Sequence, residues 1–240
     1  MRHALGTKRY VTGQSDIPIL SFTSMSLPPI YLTVEGVIGV GKTTLATLLQ
    51  PTFDARLMLE QFEDNPFLAA FYDEPERYAF QTQVVFLLSR YRQQREITAL
   101  AGRLPLITDY LFAKDRLFAR LNLAGPSWET YVELHNALAE QIAMPDLVIY
   151  LRASVDTLMD RIAQRGRSYE QTMSRDYITR LSAAYDDYFA RYEPDHLLVV
   201  ETDELNVVER ASDLEALRHA LITRLRQMTF PLLLPTDSQL

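Results

Sequence analysis

An α/β fold, with a five-stranded parallel sheet covered by helices on both faces, is what this 240-residue sequence predicts from three observations. From Ile30 onward, strand-like apolar runs alternate with helix-like ones, the order of strand–crossover–strand units rather than of hairpins. Residues 36–43 read Gly36-Val37-Ile38-Gly39-Val40-Gly41-Lys42-Thr43, a complete G-x-x-x-x-G-K-[ST] loop. The run Ile30-Tyr31-Leu32-Thr33-Val34 leads into it and Thr44-Leu45-Ala46-Thr47-Leu48-Leu49 leaves it as a helix, the context in which such a loop cradles phosphates.

The first strand is placed at 30–35 and the first helix near 43–50. Between them, glycines let successive backbone N–H groups turn inward on phosphate oxygens. Lys42 adds a fixed positive charge, and the Thr43 hydroxyl is a magnesium ligand by its type and position. Gly36 through Thr44 are therefore read as a nucleoside triphosphate site. Further strands are predicted at 56–60, 105–109, 146–151 and 196–201, and helices near 76–101, 127–143, 154–165, 175–192 and 207–228. Ligands of parallel sheets lie beyond the carboxyl ends of the strands, so Glu60 and Asp109, which close the second and third, are candidates for chemistry.

The length suits one domain at 28–230, with a tail or leader at 1–27 and a C-terminal tail at 231–240. Three readings of the first segment compete: a disordered tail, an organellar leader carrying Arg2, Lys8 and Arg9, or sequence upstream of a start at Met25. A net charge of −7 predicts no nucleic-acid track, and the apolar runs are too short to span a membrane. Without cysteine there is neither disulfide nor thiolate metal site, which fits a reducing compartment, and a cytoplasmic location is expected. The four histidines show no metal-like clustering, and His135 is expected to pack.

A signalling GTPase would need D-x-x-G and N-K-x-D, and neither occurs. Instead the second strand is followed by Glu60-Gln61-Phe62-Glu63-Asp64-Asn65-Pro66-Phe67-Leu68, then Phe71-Tyr72-Asp73-Glu74-Pro75-Glu76-Arg77-Tyr78-Ala79-Phe80-Gln81-Thr82-Gln83 and Ser89-Arg90-Tyr91-Arg92. Further on come Thr108-Asp109-Tyr110-Leu111-Phe112-Ala113-Lys114-Asp115-Arg116-Leu117-Phe118-Ala119 and Arg161-Ile162-Ala163-Gln164-Arg165-Gly166-Arg167-Ser168-Tyr169-Glu170. In these motifs, over residues 30–202, the chain resembles the deoxynucleoside kinases, and the E-D-N-P and D-Y-x-x-x-K stretches most resemble their bacterial deoxyguanosine kinase branch. The resemblance implies a P-loop kinase fold with an arginine-rich lid.

Phosphoryl transfer to a sugar hydroxyl needs positioning, charge stabilisation and a carboxylate to take the proton. The family's catalytic glutamate falls on Glu60; Glu63 and Asp64 are rivals, and capping a turn is the plain alternative for Glu60. Gln83 and Arg90, seven apart on one helix, share a face and match base-reading positions, while Arg90 can also pair with Asp115. Arg92 and Arg95 are expected at the surface. Relatives in the deoxyguanosine branch can carry a carboxylate at position 83, which leaves guanine, adenine and cytosine open. Tyr72 and Glu170 correspond to holders of the sugar 3′-hydroxyl. Arg161, Arg165 and Arg167 match the lid over ATP, against the plainer reading of arginines favourable at a helix C-terminus. Asp109 matches an acidic residue near the magnesium, but Tyr110 follows it where many members have arginine.

The expectation is thus an ATP- and magnesium-dependent kinase acting on the 5′-hydroxyl of a purine deoxynucleoside, deoxyguanosine first and deoxyadenosine second. A homodimer through the helices near 76–101 and 127–143, or a hetero-oligomer with a related kinase, is implied by the resemblance. The alternatives are a nucleoside monophosphate kinase of the thymidylate kinase type and a non-catalytic nucleotide-binding regulator.

Overall fold

The central strand β1 (Tyr31–Gly36) is buried along its whole length, and that is why its sequence reads as one apolar run rather than an alternating one. A computed structural model describes residues 28–61, 65–167, 170 and 173–229. The expected tails at 1–27 and 231–240, and the rival carboxylates Glu63 and Asp64, lie outside the described residues.

Along the chain β1 is followed by α1 (Lys42–Phe53), β2 (Arg56–Met58), α2 (Leu68–Asp73), α3 (Pro75–Leu100), β3 (Leu106–Thr108), α4 (Lys114–Asn122) and α5 (Gly125–Ala139). Then come β4 (Leu147–Arg152), α6 (Val155–Arg165), α7 (Arg175–Phe189), β5 (Leu197–Glu201) and α8 (Ala211–Thr229). The five strands form one sheet in the order β2-β3-β1-β4-β5, every pair parallel. This is the architecture the alternating pattern predicts.

Residue alternation along β1 decides what each face meets. Leu32 and Val34 join Leu45, Ala46 and Leu49 of α1 in the main core, while Tyr31 packs with Ile97 of α3 and Glu35 reaches Tyr185 of α7. Helices therefore cover both faces. A third body of apolar contacts, among Ala79, Leu87, Phe112, Ala119, Leu123 and Tyr131, fastens α3, α4 and α5 together. At the exit of β1, Gly36 has φ +152, and a Cβ there would stand 2.4 Å from the Leu151 carbonyl oxygen, so the bend into the loop admits only glycine. Ser154 and Ser174 cap α6 and α7 by accepting the N–H groups of Thr157 and Tyr177, and α6 ends at Gly166, which has φ 67.

Two helices had no counterpart in the sequence reading. With six residues, α2 is too short to show a 3.6-residue period, and α4, which begins six residues past β3, spans only nine residues. Strand β2 stops at Met58 rather than residue 60, because pairing with β3 ends there and the Glu60 N–H turns instead to the Asp109 side chain. Helices α5 and α7 end at Ala139 and Phe189, short of the expected 143 and 192.

Candidate active site

Asp109, the residue after β3, joins the first turn of α1 to the segment after β2. Its Oδ2 accepts the Thr43 hydroxyl at 2.5 Å, and its Oδ1 accepts the Glu60 backbone N–H at 2.7 Å. In the sheet β3 lies between β1 and β2, and the carboxylate that follows β3 is what joins the phosphate loop to Glu60. Glu60 itself stands two residues beyond β2 rather than closing it. The Lys42 ammonium donates to the Gly36 and Val37 carbonyls at 2.8 and 3.1 Å, which folds it back over the loop.

Around Glu60 the charges are dense and buried. Lys114 donates to Oε2 at 2.6 Å, and the Arg90 fork donates to Oε1, with its Nε at 2.9 Å. The remaining Arg90 nitrogen, Nη1, pairs with Asp115, whose side chain is 1% exposed. Burial raises the Glu60 carboxyl, but Lys114 and then Arg90 outweigh it and hold the group far below the usual carboxylate range. Asp115 shows the opposite balance: burial pushes it up to about 6 against the pull of Arg90 and Lys114. Arg90 is disfavoured by burial, yet Asp115 and Glu60 more than restore it and keep it charged.

Gln83 lies on the same buried stripe of α3 as Leu87 and Arg90, while Arg92 and Arg95 are exposed. His135 stacks on Phe112 with ring centroids 4.9 Å apart, a packing role. Tyr72 is half-buried near the end of α2, and Glu170 is buried after α6, accepting from Arg165 at 3.5 Å and Arg167 at 3.4 Å. Arg161 does not join that pair. It donates to the Val40 carbonyl at 3.3 Å and to the Thr202 hydroxyl and carbonyl at 3.0 and 2.6 Å. Positions 161 and 165 share a helix face but stand one turn, ~6 Å, apart, so they reach different neighbours. In this structure Arg161 ties the phosphate loop to the end of β5.

A deoxynucleoside kinase family model matches residues 32–225, most of the described fold. A deoxyguanosine kinase from Bacillus subtilis is 34% identical over 191 residues, 77% of this chain and 92% of its own length. The chain belongs to the deoxynucleoside kinase family. A deoxyadenosine kinase from Dictyostelium discoideum is 34% identical over 70% of this chain and 71% of its own. Among solved structures, a deoxyadenosine kinase from M. mycoides with bound dCTP superposes with TM-score 0.70 at 25% identity, covering 81% of this chain and all of that one.

Two residues of this kinase site went unassigned in the sequence. Lys114 stood in the D-Y-x-x-x-K motif, where its spacing from Asp109 was the available signal. Glu35, one residue before the loop, carried none, because a carboxylate at a strand end has no pattern of its own. It is 1% exposed, accepts the Gly36 and Leu111 N–H groups at 2.7 Å each and the Tyr185 hydroxyl at 3.1 Å, and so pins the loop entrance to β3's exit and α7. Burial raises its pKa against Lys114 and Lys42.

The Lys42 ammonium is pulled down to about 8, by burial first and by repulsion from Lys114 second, against Glu35, Glu60 and Asp109. Between pH 8 and its ordinary value the folded kinase therefore binds fewer protons there than the unfolded chain, so this group makes stability rise with pH across that window. Triphosphate oxygens favour the ammonium, so ATP binding at pH 8.5 is expected to take up protons. Calorimetry in buffers of different ionisation enthalpy measures this; zero uptake or net release would contradict it.

Proposed function

We propose that this kinase transfers the γ-phosphoryl of ATP to the 5′-hydroxyl of a purine deoxynucleoside, deoxyguanosine first and deoxyadenosine second, in nucleotide salvage. The observation that carries the reading is the Asp109 bridge, which fixes the Glu60 main chain and the Thr43 hydroxyl on one carboxylate. A base held in that position takes the hydroxyl proton as the oxygen attacks phosphorus, while Lys42, with Arg165 and Arg167 from the turn after α6, meets the phosphate charge.

The donors at the loop are all oxygen, a hydroxyl and a carboxylate, which suits magnesium, a metal held by few protein ligands alongside substrate phosphates and water. Thr43 and Asp109 would hold it, and it would supply charge neutralisation across the transferring phosphates. Arg90 and Asp115 present a donor fork and an acceptor on one buried pair, and with Gln83 on the same stripe they form the base-reading wall. Tyr72 and Glu170 are assigned to the sugar 3′-hydroxyl.

The preference for deoxyguanosine rests on the name of the Bacillus subtilis relative and on the E-D-N-P and D-Y-x-x-x-K motifs. A panel of deoxynucleosides and their monophosphates, incubated with ATP and magnesium, tests it. Deoxyguanosine is expected to give the highest kcat/KM, with deoxyadenosine next. A 5′-monophosphate from none of the nucleosides would overturn the activity, and turnover of a monophosphate alone would move the protein to the thymidylate kinase type.

The kinase is further read as a cytoplasmic homodimer, or a hetero-oligomer with a related kinase. Supporting the first are Leu88 and Leu134, each 41% exposed on α3 and α5, and light scattering at the monomer mass would exclude it. Among the described residues no helix is long and apolar enough to cross a membrane.

A further inference from the structure

Lys114 is placed where a lysine serves stability poorly. It is the first residue of α4, where the positive end of the helix dipole opposes a cation, and its residue surface is only 5% exposed. Its ammonium lies 5.5 Å from the Phe118 ring centroid and 2.6 Å from Glu60 Oε2. Glu60 in turn hangs by its main chain from the Asp109 carboxylate that accepts the Thr43 hydroxyl, so Lys114 stands beside the phosphate loop. Tyr110, next to Asp109, is fully buried with Tyr31, Ile97 and Leu106 and brings no charge to the site.

We propose that Lys114 is a further catalytic cation of the phosphoryl transfer, holding Glu60 in place before the proton moves and facing the transferring group afterwards. The inference rests on the phosphotransfer reading above. In the transfer step the sugar hydroxyl oxygen forms its bond to Pγ with a lone pair. The bond from Pγ to the β–γ bridging oxygen breaks, its electron pair leaving on ADP, and the hydroxyl proton passes to Glu60. Neutral Glu60 no longer holds the ammonium by charge. Lys114 is then free to compensate the charge on the phosphoryl oxygens, and no other group has to move in from solvent. Arg90 keeps a second buried partner in Asp115, which Lys114 lacks.

Kinetics of Lys114 variants in the full-length kinase test this, with wild-type turnover on the deoxynucleoside panel as the prior condition. Lys114→Met is expected to lower kcat by ~10²–10³-fold with the KM for ATP within about threefold. Lys114→Gln, which keeps a hydrogen-bond donor to Glu60 without the charge, is expected to lose as much, and decides the matter if the methionine variant fails to fold. Lys114→Arg should recover at least tenfold of the loss. Wild-type turnover with a glutamine variant within threefold of it, or with arginine no better than glutamine, would overturn the role of Lys114 and leave the kinase reading standing. No wild-type turnover would overturn both.

Discussion

Exchanging Glu60 for glutamine is expected to lower kcat on the best deoxynucleoside by ~10²–10⁴-fold, the span that loss of a general base commonly brings. Glutamine keeps the size of the side chain and an acceptor for Arg90, and the main-chain bond from residue 60 to Asp109 is untouched, so the fold and the phosphate loop should persist. What disappears is the site that takes the proton. ATP affinity should change little, because Thr43 and Lys42 keep their own contacts. Steady-state kinetics beside a thermal melt separate the two outcomes. Near-normal turnover in a folded variant would take Glu60 out of its role and return attention to Glu63 and Asp64.

The same geometry adds a condition on how Glu60 works. Held by Lys114 and Arg90 far below the usual carboxylate range, it is a weak base in the arrangement described. Accepting a proton requires one cation to loosen. Arg90 is the one with an alternative partner, since Asp115 waits on its other nitrogen and a purine can offer acceptors to the fork. Substrate binding that draws Arg90 toward the base thus strengthens Glu60 as an acceptor at the moment it is needed.

Replacing Arg90 by alanine is expected to remove about 3–5 kcal/mol of stability, the range seen when one partner of a buried ion pair is deleted. Its side chain is 7% exposed, and its loss strands Asp115 at 1% and leaves Glu60 with Lys114 alone. At roughly 2–4 °C per kcal/mol for a domain of this size, the melting temperature should fall by ~6–20 °C. The double exchange Arg90→Met with Asp115→Leu removes both charges of the pair, so it should be markedly milder than the single one. Equal destabilisation by single and double variants would show that packing against Phe86, not charge, is what Arg90 contributes.

Much of this was legible in the chain because local chemistry imposes it. The loop at 36–43 needs glycines where the backbone bends, and Gly36 sits under the Leu151 carbonyl for that reason. β1 and β4, buried on both faces, read as apolar runs and were recoverable, whereas the order of the strands across the sheet was not. The stripe carrying Gln83 and Arg90 followed from helix period alone. Short elements were lost, α2 for want of turns over which a period could show.

By itself the sequence determined the fold class, the phosphate loop and the family motifs that nominate Glu60, Arg90 and Asp115, since each is written in residues close together along the chain. Only the tertiary structure decided that Asp109 joins Thr43 to Glu60, that Arg161 contacts the phosphate loop and the end of β5 rather than Glu170, and that Lys114 pairs with Glu60. The reason is sequence distance. Lys114 and Glu60 are 54 residues apart and meet only because β2 and β3 pair and set down their exits side by side. A side chain buried against another element leaves no periodicity at its own position to announce the partner.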